Sequence, residues 1–281
     1  KPRKKRSAFK IVLLVFILLV LIAGGVTVSY VFSIASEAPP LDPDRLATVE
    51  TSYLFDINAE EITALHEEQN RIAVSLDEIP DHVQKAFIAI EDERFDQHFG
   101  FDIIGSFRAA YANLIAGGIT QGASTITQQL AQNAFLTTET TYERKIQEIW
   151  LAIQLERIYS KDEILNMYLN RFYFGNGAYG VEAAAQTYFN KSVGDLGIAE
   201  GAMLAGAVKS PNYYNPIDNV QAAEERMQLV LSNMHRLEFI TDQEYDRAIE
   251  RRLFYSQAEA EEYPYPHFVD YVVQHELIRI L

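Results

Sequence analysis

PDHVQKAFIAIEDERFDQHFG, residues 80–100, is the stretch on which the reading of this chain turns. Val83, Phe87 and Ile90 recur at spacings of four and three, which places them on one face of a helix opening after Pro80. That helix runs into Glu91, Asp92 and Glu93, three consecutive acids at its C-terminal end. Crowded like charges and partial burial both raise a carboxyl pKa, which suits a general base working near neutrality. From these residues alone, a solvated acidic helix end with no chemical duty reads as well.

Outward from this stretch the helical pattern continues. Further helices are expected near 102–116, 124–135, 143–158, 161–170, 179–188, 196–208, 219–237 and 241–250, so the body is mainly α. Gly117, Gly118 and Gly122 mark a flexible connection ahead of GASTITQQLAQN at 122–133. There Ser124, Gln128 and Gln132 share one helical face and Ile126, Leu130 and Ala134 another. The apolar stripe belongs in a core. The hydroxyl and amide stripe, with Gln129 and Asn133 beside it, suits hydrogen bonds to sugar hydroxyls or phosphate oxygens. Ser124 or Thr125 also fits a plain helix cap.

RKIQE at 144–148 sets Arg144 and Lys145 four and three residues before Glu148, so all three can meet on a helix. Nearby cations favour the charged form of Glu148, which makes it a poor proton donor but a good partner for cations, a metal or a developing positive centre. Exposed ion pairs worth about 0.3–0.5 kcal/mol are the ordinary alternative. The six histidines show no HExxH spacing; His98, the one near these segments, fits a hydrogen-bonding role better than a metal ligand. Ser7 and Lys10 have the spacing of a serine acylase, but they lie in a basic N-terminal tail and no KTG follows.

That tail holds Lys1, Arg3, Lys4, Lys5, Arg6 and Lys10, after which Ile11 to Ile34 carries no charged residue. Twenty-four such residues make a helix of roughly 36 Å, enough for a hydrocarbon core of about 30 Å. The basic flank puts residues 1–10 in the cytoplasm, the 11–34 helix across the cell membrane in a single pass, and the rest outside. A cleaved signal peptide, the rival reading, has a shorter apolar stretch of about 7–15 residues. EAPPLDPD at 37–44, with three prolines in eight residues, reads as part of a stem over 35–50. TSYLFDINAEEITAL at 51–65 suggests a hairpin about Asn58 and Ala59.

Of the 24 Lys and Arg, six precede the span, which leaves 18 against all 39 acids and argues against a nucleic-acid partner. The chain has no cysteine, which excludes disulfides and thiolate catalysis.

Taken together, these segments resemble the peptidoglycan glycosyltransferases of class A penicillin-binding proteins and their monofunctional relatives. EDERFDQHFG is similar to the first family motif, GASTITQQLAQN to the second, RKIQE to the third, KDEILNMYLNRFYFG at 161–175 to the fourth and EGAMLAGAVKSPNYYNP at 200–216 to the fifth. The likeness covers roughly residues 50–250. It implies a lysozyme-like α-helical domain, over 51–255, behind one transmembrane helix, with its cleft beside the membrane and lipid II and the growing glycan strand as substrates. By resemblance, Glu91 is the base and Glu148, Arg144 and Lys145 handle the departing pyrophosphate. Asp92, His98, Ser124, Gln128, Gln129 and Asn133 are expected to bind substrate, and Phe101 to Ile119 matches a mobile lipid-facing region. No cofactor is expected to be required, although a divalent cation, Mg2+ or Mn2+, would aid departure of the pyrophosphate; its ligands are not assignable. Other cell-wall synthesis proteins are expected partners. The stretch 256–281, which includes YPYPHFVDYVVQHELIRIL at 263–281, resembles the connection to a transpeptidase domain beyond Leu281.

Two positions depart from the family pattern. Gln132 stands where lysine is usual and Thr140 where a basic residue is frequent. Each lost electrostatic contact to a transition state costs about 2.7–4 kcal/mol, so a slowed enzyme, or a noncatalytic member that binds lipid II or acts as a scaffold, is one alternative. A lysozyme-like enzyme that cleaves glycan is the other.

Overall fold

The computed structural model describes residues 3–46, 52–55, 57, 61–65, 70–118, 122–137 and 139–255. Its body is built from α2 (Asp81–Glu91), α3 (Ile103–Ala116), α4 (Ile126–Phe135), α5 (Tyr142–Ile158), α6 (Lys161–Arg171), α7 (Val181–Phe189), α8 (Ile198–Ala207), α9 (Val220–Arg236) and α10 (Asp242–Glu250). From α3 onward each helix begins and ends within two residues of its expected bounds. Local signals explain why. Thr125, Ser160 and Thr241 open α4, α6 and α10 with capping boxes, each worth about 0.5–2 kcal/mol.

Ahead of the body, α1 (Arg3–Ser36) contains a window from Val12 to Ser36 of mean hydropathy 2.8, long and apolar enough to cross a membrane. Its last turn does something the 11–34 reading did not foresee. Ile34 and Ala35 are buried, Phe32 meets Trp150 of α5 edge-on at 6.2 Å, and Gln147 of α5 donates to the Ile34 carbonyl at 3.5 Å. The helix therefore continues into the expected stem and docks on the helix that carries Glu148. β1 (Ser52–Phe55) and β2 (Glu61–Leu65) pair antiparallel, so the hairpin forms; Asn58 and Ala59 lie outside the described residues, as does 256–281.

The core sits where α2, α8 and α9 stack and where α4 packs on α5 and α6. Val83 and Phe87 of α2 are fully buried, as the spacing required, and Phe87 meets Tyr168 and Phe174 edge-on at 6.5 and 5.9 Å. Burying side chains of this size stabilises the fold by about 1.5–3 kcal/mol each. Helix α8 comes close enough to α2 that a Cβ on Gly201 would meet Val83 at 3.0 Å. A small sheet was not foreseen: β3 (Asn70–Arg71) runs parallel to β5 (Ala178–Tyr179), and β4 (Tyr173–Gly175) antiparallel to it. Strands of two or three residues are too short to show an alternating pattern.

Gly100 closes the loop that follows α2. Its φ is +78°, and a Cβ there would lie 2.7 Å from the Ala152 backbone of α5. Its carbonyl accepts the Thr125 hydroxyl at 2.7 Å, which ties this loop to the start of α4. Gly100→Ala is therefore expected to destabilise the protein by about 2–4 kcal/mol, from strain and crowding together. Thermal unfolding of the detergent-solubilised chain measures this; an unchanged transition would contradict it.

Candidate active site

A cavity of about 670 Å3 opens beside the C-terminal end of α2. Four of the expected residues stand on its wall: Glu91, Asp92, Ser124 and Gln129. The three consecutive acids do not act as a cluster, because each turns to a different partner. Glu91 accepts from Gln129 Nε2 at 2.8 Å. Asp92 is buried and takes His98 Nε2 at 2.9 Å and the Ile126 backbone N–H at 3.0 Å. Glu93 pairs with Arg108 of α3 and, at 2.6 Å, with Arg236 of α9.

Chemistry follows from this separation. Burial pushes the Glu91 carboxyl above its ordinary range, against the Gln129 hydrogen bond and the charges of Arg226 and Lys209. Asp92 adds only a lesser push in the same direction, so burial, and not the crowding of like charges, is what raises it. Burial would also raise Glu93, but hydrogen bonds from Arg236 and Arg108 outweigh it and hold this carboxyl below its usual range. Among the three acids, Glu91 is the one suited to receive a proton.

Three expected substrate contacts and one expected catalytic residue lie off the cavity wall. His98 is 4% exposed in its side chain and orients Asp92, whose carboxylate in turn anchors the first turn of α4. Gln128 is fully buried, its Oε1 accepting from Thr125 N at 2.8 Å, so it caps α4. Asn133 is exposed away from the cavity wall and accepts from Arg171 Nε at 2.8 Å. Glu148 is not on the wall either. It is 1% exposed, held by Arg144 Nη1 at 2.8 Å and by Lys145. Lys145 also donates to Ser124 Oγ at 2.8 Å, so the triad reaches the cavity through Ser124. The pairing at spacings of four and three is as expected, but Glu148 and most of Arg144 are buried while Lys145 stays partly exposed, which removes the reading of a fully exposed ion pair.

The wall opposite was missed. Lys209, just past α8, and Arg226, Asn233 and Arg236 of α9 all face the cavity. On α9 the run Arg226, Leu229, Asn233, Arg236 advances by three, four and three, a helical stripe of three polar residues and one leucine that was legible as a face but not as the wall of a site. Arg108 and Gly105 bring α3 to the rim, where Ile103, Ile104, Phe107, Tyr111, Leu114 and Ile115 are exposed. These large apolar side chains of α3 are thus not core, while Gly105 and Ala109 are buried; Ile119 lies outside the described residues. Gln132 is half-buried on α4 and Thr140 exposed before α5; neither lines the cavity.

Among the described residues no group of three or more His, Asp or Glu is placed to hold a metal ion. Both Glu148 oxygens are taken by cations, and Asp92 is taken by His98 and Ile126.

Residues 58–235 match the family model described as Transglycosylase. Penicillin-binding protein 1A/1B of Bacillus subtilis (strain 168) is 45% identical over 252 residues, covering 88% of this chain and 27% of that protein. Penicillin-binding protein 1F of the same organism is 40% identical over 275 residues, covering 98% of this chain and 38% of that protein. Penicillin-binding protein 1A of Aquifex aeolicus (strain VF5) is 51% identical over 185 residues, covering 66% and 26%. The chain spans between 26% and 38% of the length of these relatives.

Proposed function

This chain belongs to the Transglycosylase family, and we propose that it is an inverting peptidoglycan glycosyltransferase that polymerises lipid II in bacterial cell-wall synthesis. The observation that carries the reading is a carboxyl, Glu91, raised by burial and set in the wall of a cavity to which Lys209 and Arg226 bring positive charge. Glu91 takes the proton from the 4-hydroxyl of the acceptor GlcNAc. That oxygen attacks the anomeric carbon of the MurNAc at the reducing end of the growing chain, forming a β-1,4 bond with inversion. The bond to the lipid pyrophosphate breaks and its electron pair leaves with the pyrophosphate.

The departing charge needs cations. Lys145 reaches the Ser124 hydroxyl at the cavity edge, and Arg144 Nε is buried without a partner among the described residues, a donor that an anion would satisfy. Glu148 acts through these two cations, fixing where they point. Of the lining cations, Arg108 and Arg236 pair with Glu93, while the charges of Lys209 and Arg226 reach Glu91. A neutral glycan would call for neither Lys209 nor Arg226, which favours synthesis over a lysozyme-like cleavage.

The reading places the N-terminal tail in the cytoplasm and the cavity outside, with α1 as a single-pass anchor and the exposed apolar side of α3 against lipid. Other wall-synthesis proteins are its expected partners within that layer. Incubating the detergent-solubilised chain with labelled lipid II tests the activity: a ladder of polymer supports it. Shortening of preformed glycan would transfer support to the hydrolase. Lipid II binding without any product would leave a noncatalytic member.

A further inference from the structure

Tyr168 of α6 takes no part in the chemistry described so far, yet it stands one amide away from the base. It is fully buried, edge-on to Phe87 and tilted against Phe172 at 4.2 Å. Its hydroxyl donates to Gln129 Oε1 at 3.3 Å. The other end of the same amide, Nε2, donates to Glu91 Oε2 at 2.8 Å.

A carboxamide has one accepting end and one donating end, and its terminal torsion has two nearly equivalent orientations. Turned one way, Gln129 offers Glu91 an N–H; turned the other way, it sets an oxygen against a carboxylate. A phenol hydroxyl at the far end selects the first, because it donates to the oxygen. At 3.3 Å the contact is long for a hydroxyl donor, so its weight lies in orientation more than in strength. Burial and the nearby charges of Glu91 and Asp92 push the phenol pKa well above its ordinary value, so the hydroxyl keeps its proton throughout the working range.

We infer that Tyr168 is a positioning residue: by fixing the Gln129 amide it keeps an N–H on Glu91, and so sets both the direction and the charge state of the base. The inference rests on the reading of Glu91 as that base. The charged groups that act on Glu91 are Asp92 from its own segment, Lys209 after α8 and Arg226 from α9, while Glu93, Asp102, Arg108 and Arg236 line the same cavity. Tyr168→Phe leaves all of them in place. It removes one oxygen, frees the amide to turn, and weakens the hydrogen bond that holds the Glu91 pKa down.

The direct test is titration of the Glu91 carboxyl by 13C NMR in the full chain, glutamate-labelled and in detergent, with the signal assigned by its loss in Glu91→Gln. Tyr168→Phe is expected to move the Glu91 midpoint upward. Gln129→Leu should move it upward as well, and adding Tyr168→Phe to Gln129→Leu should move it no further, because the effect runs through the amide. In turnover, kcat with lipid II should fall roughly tenfold, as loss of an outer hydrogen-bond partner does at other sites. KM should stay unchanged, and the acid limb of kcat/KM should shift upward. An unmoved midpoint in Tyr168→Phe, or a further shift in the double variant, would overturn the proposal. A lowered Tm alone, with the midpoint unmoved, would leave Tyr168 a core residue and overturn it equally. A parent that titrates but makes no polymer from lipid II would sink the glycosyltransferase reading, while the titration would still decide the role of Tyr168.

Discussion

Glu91→Gln is expected to lower the rate of polymer formation by about a thousandfold, within the 10²–10⁴ range that a positioned general base contributes. The substitution keeps the shape of the side chain and leaves a carbonyl oxygen to accept from Gln129, so folding and lipid II binding should persist while turnover is lost. The same residue fixes the pH dependence of the parent. A base works only when unprotonated, and burial raises the Glu91 pKa. Activity should therefore be full at higher pH and fall as pH drops through a midpoint above the ordinary carboxylate range. Rates of ladder formation from labelled lipid II across the acid range measure both effects. A Glu91→Gln variant that polymerises at the parental rate would remove Glu91 from the mechanism.

Glu148→Gln has the second large effect, and it is felt in stability as well as rate. Glu148 is buried between Arg144 and Lys145, and removing one member of a buried ion pair costs about 3–5 kcal/mol because the others are left uncompensated. For a domain of this size that corresponds to a fall in Tm of roughly 10 °C. Lys145 also loses the partner that holds it against Ser124, so turnover should fall with stability. The two losses can be separated. Replacing the three charges together by apolar side chains of similar volume, as Arg144→Met, Lys145→Met and Glu148→Leu, should recover much of the stability, since buried ionic groups often exchange with packed apolar ones at little cost. It should not recover polymerisation. If the triple variant regained both, the triad would serve folding alone.

Much of the helical body was written in local spacing. Val83 and Phe87 lie buried on one face of α2, and Arg144, Lys145 and Glu148 meet on α5, because in each case a helix brings residues three and four apart together without help from elsewhere. The capping threonine of α4 was legible for the same reason. Gln128 was misread because its amide could serve a cap or a sugar with equal chemistry, and only the fold says that it is fully buried.

Tertiary structure alone decided what surrounds each of the three acids and which of them burial raises. Glu91, Asp92 and Glu93 are equivalent in sequence, and they become an acid raised by burial and held by Gln129, an anchor for α4 at Ile126, and a rim residue ion-paired with Arg236. Arg236 is 143 positions from Glu93 along the chain, and Gln129 is 38 from Glu91. No periodicity reports contacts at such separations. Periodicity records which face of a helix is apolar, whereas the identity of the group across a cavity is fixed only when α2, α4, α6 and α9 pack around one core.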